Sequence, residues 1–338
     1  MKIKTNITIV DKVVVPHTAF MEAEQQIEQC LQFAGGKTEA MGLAIVGEAG
    51  TGKTSVMSGF RTKYGLTRDK EGLSGQILFA TVPPQPTIRS LAGALLAGFS
   101  AGDWERGSAD EKYKRVRKYM TDIGIRMVML DEFQHFYNRQ ENKMMYDVAE
   151  WLKVLMDQTR VVLVVAGTPP CTAIIGQNEQ LRRRFMAPIW MPRFSWQDMG
   201  QRKEFRCILK KFHEKLAAEY ETPVLHSEEM AFRFYCASGG LISYLVKLLQ
   251  KAERNAIGGN KTSITMEDLN VADRQVSYSL DPSQLLHPFD RTFSLSVDMD
   301  ILERAAKIGS IQYEEEQPAS RGHRKAKKQS LDSMLVKR

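Results

Sequence analysis

The chain has 338 residues, of which 43% are hydrophobic and 26% are charged, so it exceeds one average domain and can bury a sizeable core. Its four cysteines are far apart and form no CxxC pair, which argues against a disulfide framework and a cysteine zinc site. No apolar run approaches the ~18 residues of a membrane span, and the first residues lack the apolar core of a signal peptide. These features are typical of a reduced, cytoplasmic protein without a membrane partner.

The net charge of +7 is concentrated at the C-terminus. Residues 317–338 contain seven Lys or Arg side chains and one acid, which leaves a net charge of +1 for the rest of the chain. Any surface that binds nucleic acid must therefore be a local patch. The composition from about residue 313 onward predicts disorder, because it offers too few apolar side chains to form a core.

The first twenty residues end in Val15-Pro16-His17, just before a helical pattern from about Ala19 to Phe33. In P-loop ATPases of the AAA+ class, a segment at this distance before the phosphate loop often closes over the adenine. Val15, Pro16 and His17 are therefore candidate contacts for the base. An edge strand followed by a packing helix explains the same residues equally well.

The strongest motif is Gly47–Thr54, which reads Gly-Glu-Ala-Gly-Thr-Gly-Lys-Thr between an apolar strand, Leu43–Val46, and a helical pattern through Phe60. This is the GxxxxGK[ST] phosphate loop in its strand–loop–helix setting. Its backbone N–H groups are expected to cradle phosphates, with Lys53 reaching the β- and γ-phosphates and Thr54 holding Mg²⁺. The predicted nucleotide-binding residues here are Gly47, Glu48, Ala49, Gly50, Thr51, Gly52, Lys53, Thr54 and Ser55.

A second apolar strand, Val128–Glu132, ends in two carboxylates about 80 residues after the phosphate loop. This pattern fits a Walker B element, in which Asp131 binds Mg²⁺ through water and Glu132 is the general base. The Glu beside the Asp favours ATPases over GTPases, and the sequence has no Asn-Lys-x-Asp motif for reading guanine. The predicted cofactors are therefore ATP and Mg²⁺.

The β-branched run Val161–Ala166 predicts a strand buried on both faces of a parallel sheet. Thr168 lies at its tip, where a sensor of the γ-phosphate would be, although Pro169 and Pro170 are also consistent with a simple stiff turn. We predict Thr168 as a catalytic residue on this basis.

Three consecutive arginines, Arg182, Arg183 and Arg184, precede the short strand Ile189–Met191. This position suits an arginine finger that one subunit donates to the ATP of its neighbour. Arg184, beside Phe185, is the first choice among the three. Ordinary surface arginines are the alternative interpretation.

The pattern of Glu111–Met120 predicts a helix with an apolar stripe of Tyr113, Val116 and Met120 and a cationic face. Such a face could follow the phosphate backbone of DNA, or it could simply be solvated. The predicted DNA-binding residues of this stretch are Lys112, Lys114, Arg115 and Lys118.

The pattern becomes helical from Trp196, with helices predicted at about 198–219, 227–237, 240–256 and 266–278. The predicted fold is α/β: a P-loop NTPase core with a parallel sheet in an αβα sandwich, and a small α-helical lid. The predicted domains are a core at 1–197, a lid at 198–280 and a C-terminal extension at 281–338.

Together these motifs resemble the TniB/TnsC family of AAA+ regulators of DNA transposition, which are relatives of the Mu-phage B protein. The resemblance extends over roughly residues 10–295. The segments that carry it are Val15-Pro16-His17, Gly47–Thr54, Thr81-Val82-Pro83-Pro84, Leu130–His135, Gly167-Thr168-Pro169, Leu181–Phe185, Ser238-Gly239-Gly240 and Tyr244–Leu249.

The resemblance implies a prokaryotic, DNA-associated ATPase that oligomerises as rings or helical filaments on duplex DNA. Such a protein marks the target site for a transposase and links it to a target-selection protein of the TniQ/TnsD type. ATP would lie between subunits, so that hydrolysis controls disassembly. The stretch Lys112–Lys118 falls where family members place contacts with DNA.

One departure concerns the start of the lid helix, where many AAA+ proteins carry a sensor arginine. The positions here are Leu241, Ile242, Ser243 and Tyr244, which predicts slow hydrolysis or weak coupling of the lid to the nucleotide state. Two other functions stay open at this point. A replication initiator or clamp-loader relative would normally carry that arginine, and a nucleotide-switch signalling scaffold would show no salt-sensitive DNA binding.

Overall fold

A computed structural model describes residues 7–35, 40–70, 72–137, 142–277 and 285–309. The tail predicted to be disordered and basic from about residue 313 lies outside these ranges. Within them, no helix has the combination of length and apolarity that crossing a bilayer requires.

The centre of the fold is a parallel five-stranded sheet. Its strands are β1 (Gly42–Val46), β4 (Ile77–Thr81), β5 (Met127–Asp131), β6 (Val162–Gly167) and β7 (Ile189–Trp190). Their spatial order is β4-β5-β6-β1-β7. A separate antiparallel hairpin joins β2 (Thr67–Arg68) and β3 (Leu73–Ser74). Every residue of β1, β5 and β6 is buried, as expected for central strands covered by helices on both faces.

Helices cover the two faces of this sheet. They are α1 (Thr18–Phe33), α2 (Lys53–Tyr64), α3 (Ile88–Gly98), α4 (Ala109–Ile123), α5 (Asn142–Thr159), α6 (Cys171–Gly176) and α7 (Glu179–Arg184). Apolar residues of α1 and α2 pack on one face, and those of α3 to α6 pack on the other. Thr87 caps α3, because its hydroxyl accepts a hydrogen bond from the backbone N–H of Ser90 at 3.0 Å.

Two helices complete the second face. Met145 and Val148 extend the buried stripe of α5 toward its N-terminus. Helix α6 begins directly after Pro170 and buries Ile174 against the core.

The helical lid consists of α8 (Met199–Leu216), α9 (Glu228–Ser238), α10 (Ile242–Gly258) and α11 (Met266–Val276), followed by α12 (Met299–Ala306). The first four match the predicted helices closely. The lid has its own apolar core, separate from those of the sheet.

Segments near both ends of the chain pack into the lid core. Val10 joins it from the N-terminal side, and Phe289 and Ile301 join it from the C-terminal side. The buried carboxylate of Glu253 in α10 accepts hydrogen bonds from the backbone N–H groups of Ile9 (2.6 Å) and Val10 (3.0 Å). The segment before α1 therefore packs with the lid, although it precedes the sheet in the chain.

Candidate nucleotide-binding site

Three polar segments meet at the carboxyl edge of the sheet. The phosphate loop follows β1, Asp131 and Glu132 end β5, and Thr168 follows β6. Because β6 pairs with both β1 and β5, these three strand ends are neighbours. The backbone N–H of Gly47 donates to the carbonyl of Gly167 at 3.1 Å, which joins two of the segments directly.

The phosphate loop turns at two glycines with left-handed backbone angles. Gly50 has φ +85° and Gly52 has φ +103°, a region that side-chain-bearing residues rarely adopt. Helix α2 then begins at Lys53, so its unpaired N–H groups and the positive end of its dipole face the loop. This arrangement is suited to an anion such as a phosphate chain.

Lys53 lies inside the loop, with only 8% of its surface exposed. Its ammonium group donates to the carbonyls of Gly47 at 2.8 Å and Glu48 at 2.7 Å. Burial lowers the pKa of Lys53, and the nearby Asp131 and Glu132 carboxylates oppose that shift. A buried cation held by backbone carbonyls can move to phosphate oxygens, because both sets of partners are acceptors.

Two oxygen ligands suited to Mg²⁺ lie side by side. The Thr54 hydroxyl donates to Oδ2 of Asp131 at 2.8 Å, and Asp131 is buried. Mg²⁺ prefers oxygen ligands and is usually bound by one or two carboxylates together with substrate phosphates. Thr54 and Asp131 therefore fit the predicted metal ligands, with a nucleotide supplying the remaining oxygens.

Glu132 has a left-handed backbone conformation, φ +57°, which is uncommon for a residue with a side chain. Its Oε2 accepts a hydrogen bond from Nε2 of Gln134 at 2.6 Å, and Nε2 of His135 lies 3.7 Å away. The other end of the Gln134 amide accepts from the backbone N–H of Thr168 at 3.1 Å. The predicted general base and the predicted sensor are thus linked through a residue to which the sequence analysis gave no role.

A cavity of about 750 Å³ is lined by residues from the N-terminal segment, from the end of the sheet and from α8. Val15, Pro16 and His17, the predicted contacts of the base, all line it, as does Trp190. The cavity is large enough for the base and sugar of a nucleotide.

His17 has a second role at this site. Its buried ring packs edge-on against Phe194, with the ring centroids 5.4 Å apart, and it hydrogen-bonds the backbone of Thr51 in the phosphate loop. Burial lowers the pKa of His17, so the neutral imidazole supports the loop at neutral pH.

The start of α10 contacts the phosphate loop where many AAA+ proteins carry the sensor arginine. The backbone N–H of Ser243 donates to the carbonyl of Gly50 at 3.1 Å. A Cβ on Gly50 would lie 2.0 Å from the Ser243 hydroxyl, so only glycine permits this approach. Lys247 turns away from the loop and donates to the carbonyl of Val276 at 3.1 Å.

Arg193 connects the phosphate loop to the C-terminal segment. Its Nε donates to Oε1 of Glu48 at 3.0 Å, and this contact lowers the pKa of that carboxyl. Its Nη1 donates to the carbonyls of Ala306 at 2.8 Å and Ile308 at 3.1 Å. No sequence motif identifies Arg193, and its position shortly after the last core strand is the only signal of its role.

The three arginines of α7 have different surroundings. Arg184 forms an ion pair with Asp157 of α5 at 2.6 Å, and only 15% of its side chain is exposed. Arg183 is exposed and pairs with Glu179 of its own helix at 2.6 Å. Arg182 is exposed, and its side chain forms no hydrogen bond or ion pair with any residue in the described ranges. Arg182 thus has no such partner among the described residues, whereas Arg184, the first choice from the sequence, is held by Asp157.

The predicted DNA-binding residues of α4 also divide into two sets. Lys112 is only 4% exposed, because α4 turns it toward Gly93 of α3. Arg115 donates to loop carbonyls, including that of Gly102 at 2.9 Å. Both side chains thus lie against groups of the same chain, and a role for either in DNA binding stays a prediction. Lys114 and Lys118 are exposed and lie four residues apart on the outer face.

Comparisons with known proteins agree with this geometry. A family model described as bacterial TniB protein matches residues 6–196. A search of curated proteins returned no match.

Several solved structures share the fold. Cdc6p from Pyrobaculum aerophilum is 15% identical, with a TM-score of 0.57 over 82% of this chain and 73% of that one. The Aeropyrum pernix ORC2 protein, solved as ADPNP–ADP complexes, is 16% identical, with a TM-score of 0.55 over 80% and 72%. The Aeropyrum pernix ORC1 protein in complex with DNA is 16% identical, with a TM-score of 0.54 over 80% and 69%.

At these identities the structural likeness shows the fold alone, and the predicted AAA+ core with a helical lid is confirmed. The family match is more specific and covers more than half of the chain. The protein therefore belongs to the TniB family.

Proposed function

We propose that this protein is an ATP-dependent, DNA-binding regulator of DNA transposition that assembles on duplex DNA and is released by ATP hydrolysis. The observation that carries this proposal is the convergence of Lys53, Thr54, Asp131, Glu132 and Thr168 at one edge of the sheet in a member of the TniB family.

The site provides each group that phosphoryl transfer to water requires. The base and sugar of ATP enter the 750 Å³ cavity, and the triphosphate follows the loop toward the start of α2. Lys53 then exchanges its backbone carbonyl partners for phosphate oxygens. Mg²⁺, held by Thr54 and Asp131, supplies charge neutralisation at the β- and γ-phosphates when it is bound.

Glu132 is the proposed general base. It accepts a proton from the attacking water as the water oxygen bonds to the γ-phosphorus and the bridging oxygen leaves with ADP. Thr168 lies at the tip of the neighbouring strand, where it can contact the γ-phosphate. The absence of a lid arginine at residues 241–244 favours a slow, regulatory rate of hydrolysis.

Self-assembly would give a partner to Arg182, one of the two exposed arginines of α7. In the proposed ring or filament, Arg182 of one subunit would approach the ATP of its neighbour and stabilise the charge of the transition state. The nucleotide would then lie between subunits, so that its hydrolysis weakens the assembly. The AAA+ neighbour solved with ADPNP and ADP supports nucleotide use by this fold.

Duplex DNA is the proposed track for assembly. Lys114 and Lys118 project from the outer face of α4 and form no hydrogen bond or close ion pair with any described residue. Lysines on one helix face bind phosphates without reading base sequence, so we propose contacts mainly with the backbone. The AAA+ neighbour solved in complex with DNA is consistent with this assignment.

The remaining proposed partners are transposase subunits and a target-selection protein of the TniQ/TnsD type. The basic C-terminal residues, including Arg321, Arg324 and Lys325, are a possible attachment point for the transposase or for DNA. If removal of residues 317–338 left both interactions unchanged, this part of the proposal would be wrong.

Electron microscopy of the purified protein with duplex DNA tests the central proposal. We expect rings or filaments on DNA with a non-hydrolysable ATP analogue, and none without nucleotide. Glu132→Gln should form the same assemblies with ATP itself and retain them, because it binds ATP without hydrolysing it. Glu214→Gln, at an exposed carboxylate of α8, is the matched control and should behave like wild type. Isolated particles indifferent to DNA would favour a signalling scaffold instead.

A further inference from the structure

The short 3-10 turn after Glu132 holds a polar side chain between two buried anchors. The turn spans Phe133–Phe136, and both phenylalanine rings are buried in the core, with their centroids 5.6 Å apart. The polar side chain is that of Gln134. The residue after it, His135, is fixed by a contact of 2.9 Å between its Nδ1 and the carbonyl of Val82. The backbone that carries Gln134 is therefore held on both sides.

The Gln134 amide spans the gap between two strand ends. Its Nε2 lies 2.6 Å from Oε2 of Glu132, and its Oε1 lies 3.1 Å from the backbone N–H of Thr168. A carboxylate can only accept and a backbone N–H can only donate, so one orientation of the amide satisfies both contacts. This orientation follows from the chemistry of the neighbours, which removes the usual ambiguity of amide flips.

The sheet provides space for this contact at one glycine. A Cβ on Gly167 would lie 2.7 Å from Oε1 of Gln134 and 3.1 Å from its backbone N. Any larger residue at the tip of β6 would push the amide away from Thr168. The close approach of Gln134 to the tip of β6 thus requires a glycine at position 167.

We propose that Gln134 is a positioning residue for ATP hydrolysis, which holds the Glu132 carboxylate and connects it to the strand tip that senses the γ-phosphate. This inference rests on the proposed ATPase function. The Gln134 amide binds Oε2, which fixes the plane of the carboxylate and leaves Oε1 to accept a proton from water. A displacement of Thr168 by the γ-phosphate passes through the amide to the base.

Fixing the base in this way affects the rate, because misplacement of a catalytic group by about 1 Å can cost roughly 100-fold in turnover. Binding of ATP is affected much less, since the hydrogen bonds of the Gln134 side chain to described residues go to Glu132 and Thr168, and Gln134 does not line the cavity.

Gln134→Glu separates the two contacts of the amide. The new carboxylate keeps the shape and can still accept from the Thr168 N–H, but it cannot donate to Glu132. Two adjacent carboxylates also raise the pKa of the pair. We expect turnover to fall about 10-fold to 100-fold with the Kd for a non-hydrolysable ATP analogue nearly unchanged, and the acidic limb of the kcat–pH profile to move to higher pH.

Gln134→Leu is the companion variant, because it removes both contacts at similar size. If Gln134→Glu turned over like wild type while Gln134→Leu did not, the residue would act only through Thr168 and the proposal would be overturned. An unchanged pH profile for Gln134→Glu would overturn it as well.

A measurement without ATP tests the contact itself. We expect Gln134→Glu to lower the melting temperature relative to wild type more at pH 8 than at pH 5, because protonation relieves the repulsion between the two carboxylates. An equal difference in melting temperature at both pH values would show that residue 134 does not contact Glu132.

Failure of the proposed ATPase function is distinguishable from failure of this inference. In that case wild type would not hydrolyse ATP, or Glu132→Gln would hydrolyse it normally.

Discussion

The nucleotide edge of the sheet and the outer faces of α4 and α7 both carry charged groups, but they differ in their partners. At the sheet edge, Lys53, Asp131 and Glu132 are each hydrogen-bonded to groups of the same chain. On the outer faces, Lys114, Lys118 and Arg182 form no hydrogen bond or close ion pair with any residue in the described ranges.

This difference has a physical meaning. Groups held by internal hydrogen bonds are pre-organised, and they stabilise a charge without reorganising when it develops. Exposed cations are hydrated and mobile, and they bind an external anion by long-range attraction that salt screens. The first region is thus suited to chemistry and the second to assembly. The chain also provides inward-facing neighbours of the outward-facing residues, which serve as matched controls.

The largest expected effect separates Arg182 from Arg184. We expect Arg182→Ala to lower ATP turnover of the DNA-bound assembly about 1,000-fold, because it removes the finger from each neighbouring site, and to leave the melting temperature unchanged. Arg184→Ala leaves the partly exposed Asp157 carboxylate without its ion-pair partner and should instead lower the free energy of unfolding by about 0.5–1 kcal/mol. Steady-state turnover and thermal melting of both variants measure the contrast.

Two further preparations sharpen this test. Arg183→Ala removes an exposed arginine of the same helix and should change neither quantity appreciably. Mixing Arg182→Ala with Glu132→Gln should restore part of the turnover, since each variant supplies the group that the other lacks. Wild-type turnover by Arg182→Ala alone would show that this arginine is not the finger.

The second prediction concerns the salt dependence of DNA binding. The double variant Lys114→Ala/Lys118→Ala removes two proposed phosphate contacts, so the slope of log K against log salt should become shallower by about 1.8. ATP binding should stay unchanged, because both lysines are exposed and neither lines the cavity proposed for the nucleotide. Binding of labelled duplex DNA at several salt concentrations, with a non-hydrolysable ATP analogue present, gives the slope. Lys210→Ala/Lys215→Ala, at exposed positions of α8, is the control pair and should leave the slope unchanged. An equal change of slope in both double variants would show that α4 has no specific role in DNA binding.

The sequence predicts the residues at the nucleotide edge of the sheet better than the side-chain orientations on α4 and α7. The phosphate loop, Asp131, Glu132 and Thr168 each lie at the end of a strand that the sequence predicts, and they meet because parallel strands deliver their carboxyl ends to a common edge. The orientations of Lys112, Arg115 and Arg184 could not be predicted. Their partners lie in α3, in the loop before α4 and in α5, and no local pattern identifies partners at that distance.

The third prediction tests whether the C-terminal segment supports the nucleotide edge. Arg193→Ala removes the link between Glu48 and the carbonyls at the C-terminal end of α12, which we expect to weaken ATP binding about 3-fold to 10-fold. Arg274→Ala breaks the ion pair in which Nη2 of Arg274 lies 3.2 Å from Oδ2 of Asp290, and it should leave ATP binding unchanged. Titration with a fluorescent ATP analogue measures both Kd values. Equal Kd values for Arg193→Ala and wild type would mean that the loop keeps its shape without this link.

The smallest expected effect is a pH dependence that arises from His17. Burial lowers the pKa of this imidazole below its ordinary value of 6.5, so the unfolded chain binds a proton more readily than the folded one. The contribution of neutral His17 to the stability of the loop is therefore complete above pH 6.5 and is lost as the pH falls through the folded-state pKa. We expect the Kd for a non-hydrolysable ATP analogue to rise a few-fold as the pH falls from 7.5 to 5.5 for this reason.

The phosphates of the nucleotide titrate in the same range, so the informative quantity is the ratio of Kd values between wild type and His17→Gln at each pH. Glutamine keeps a donor for the loop and does not titrate; a ratio that stays constant across the range would show that His17 does not couple protons to nucleotide binding.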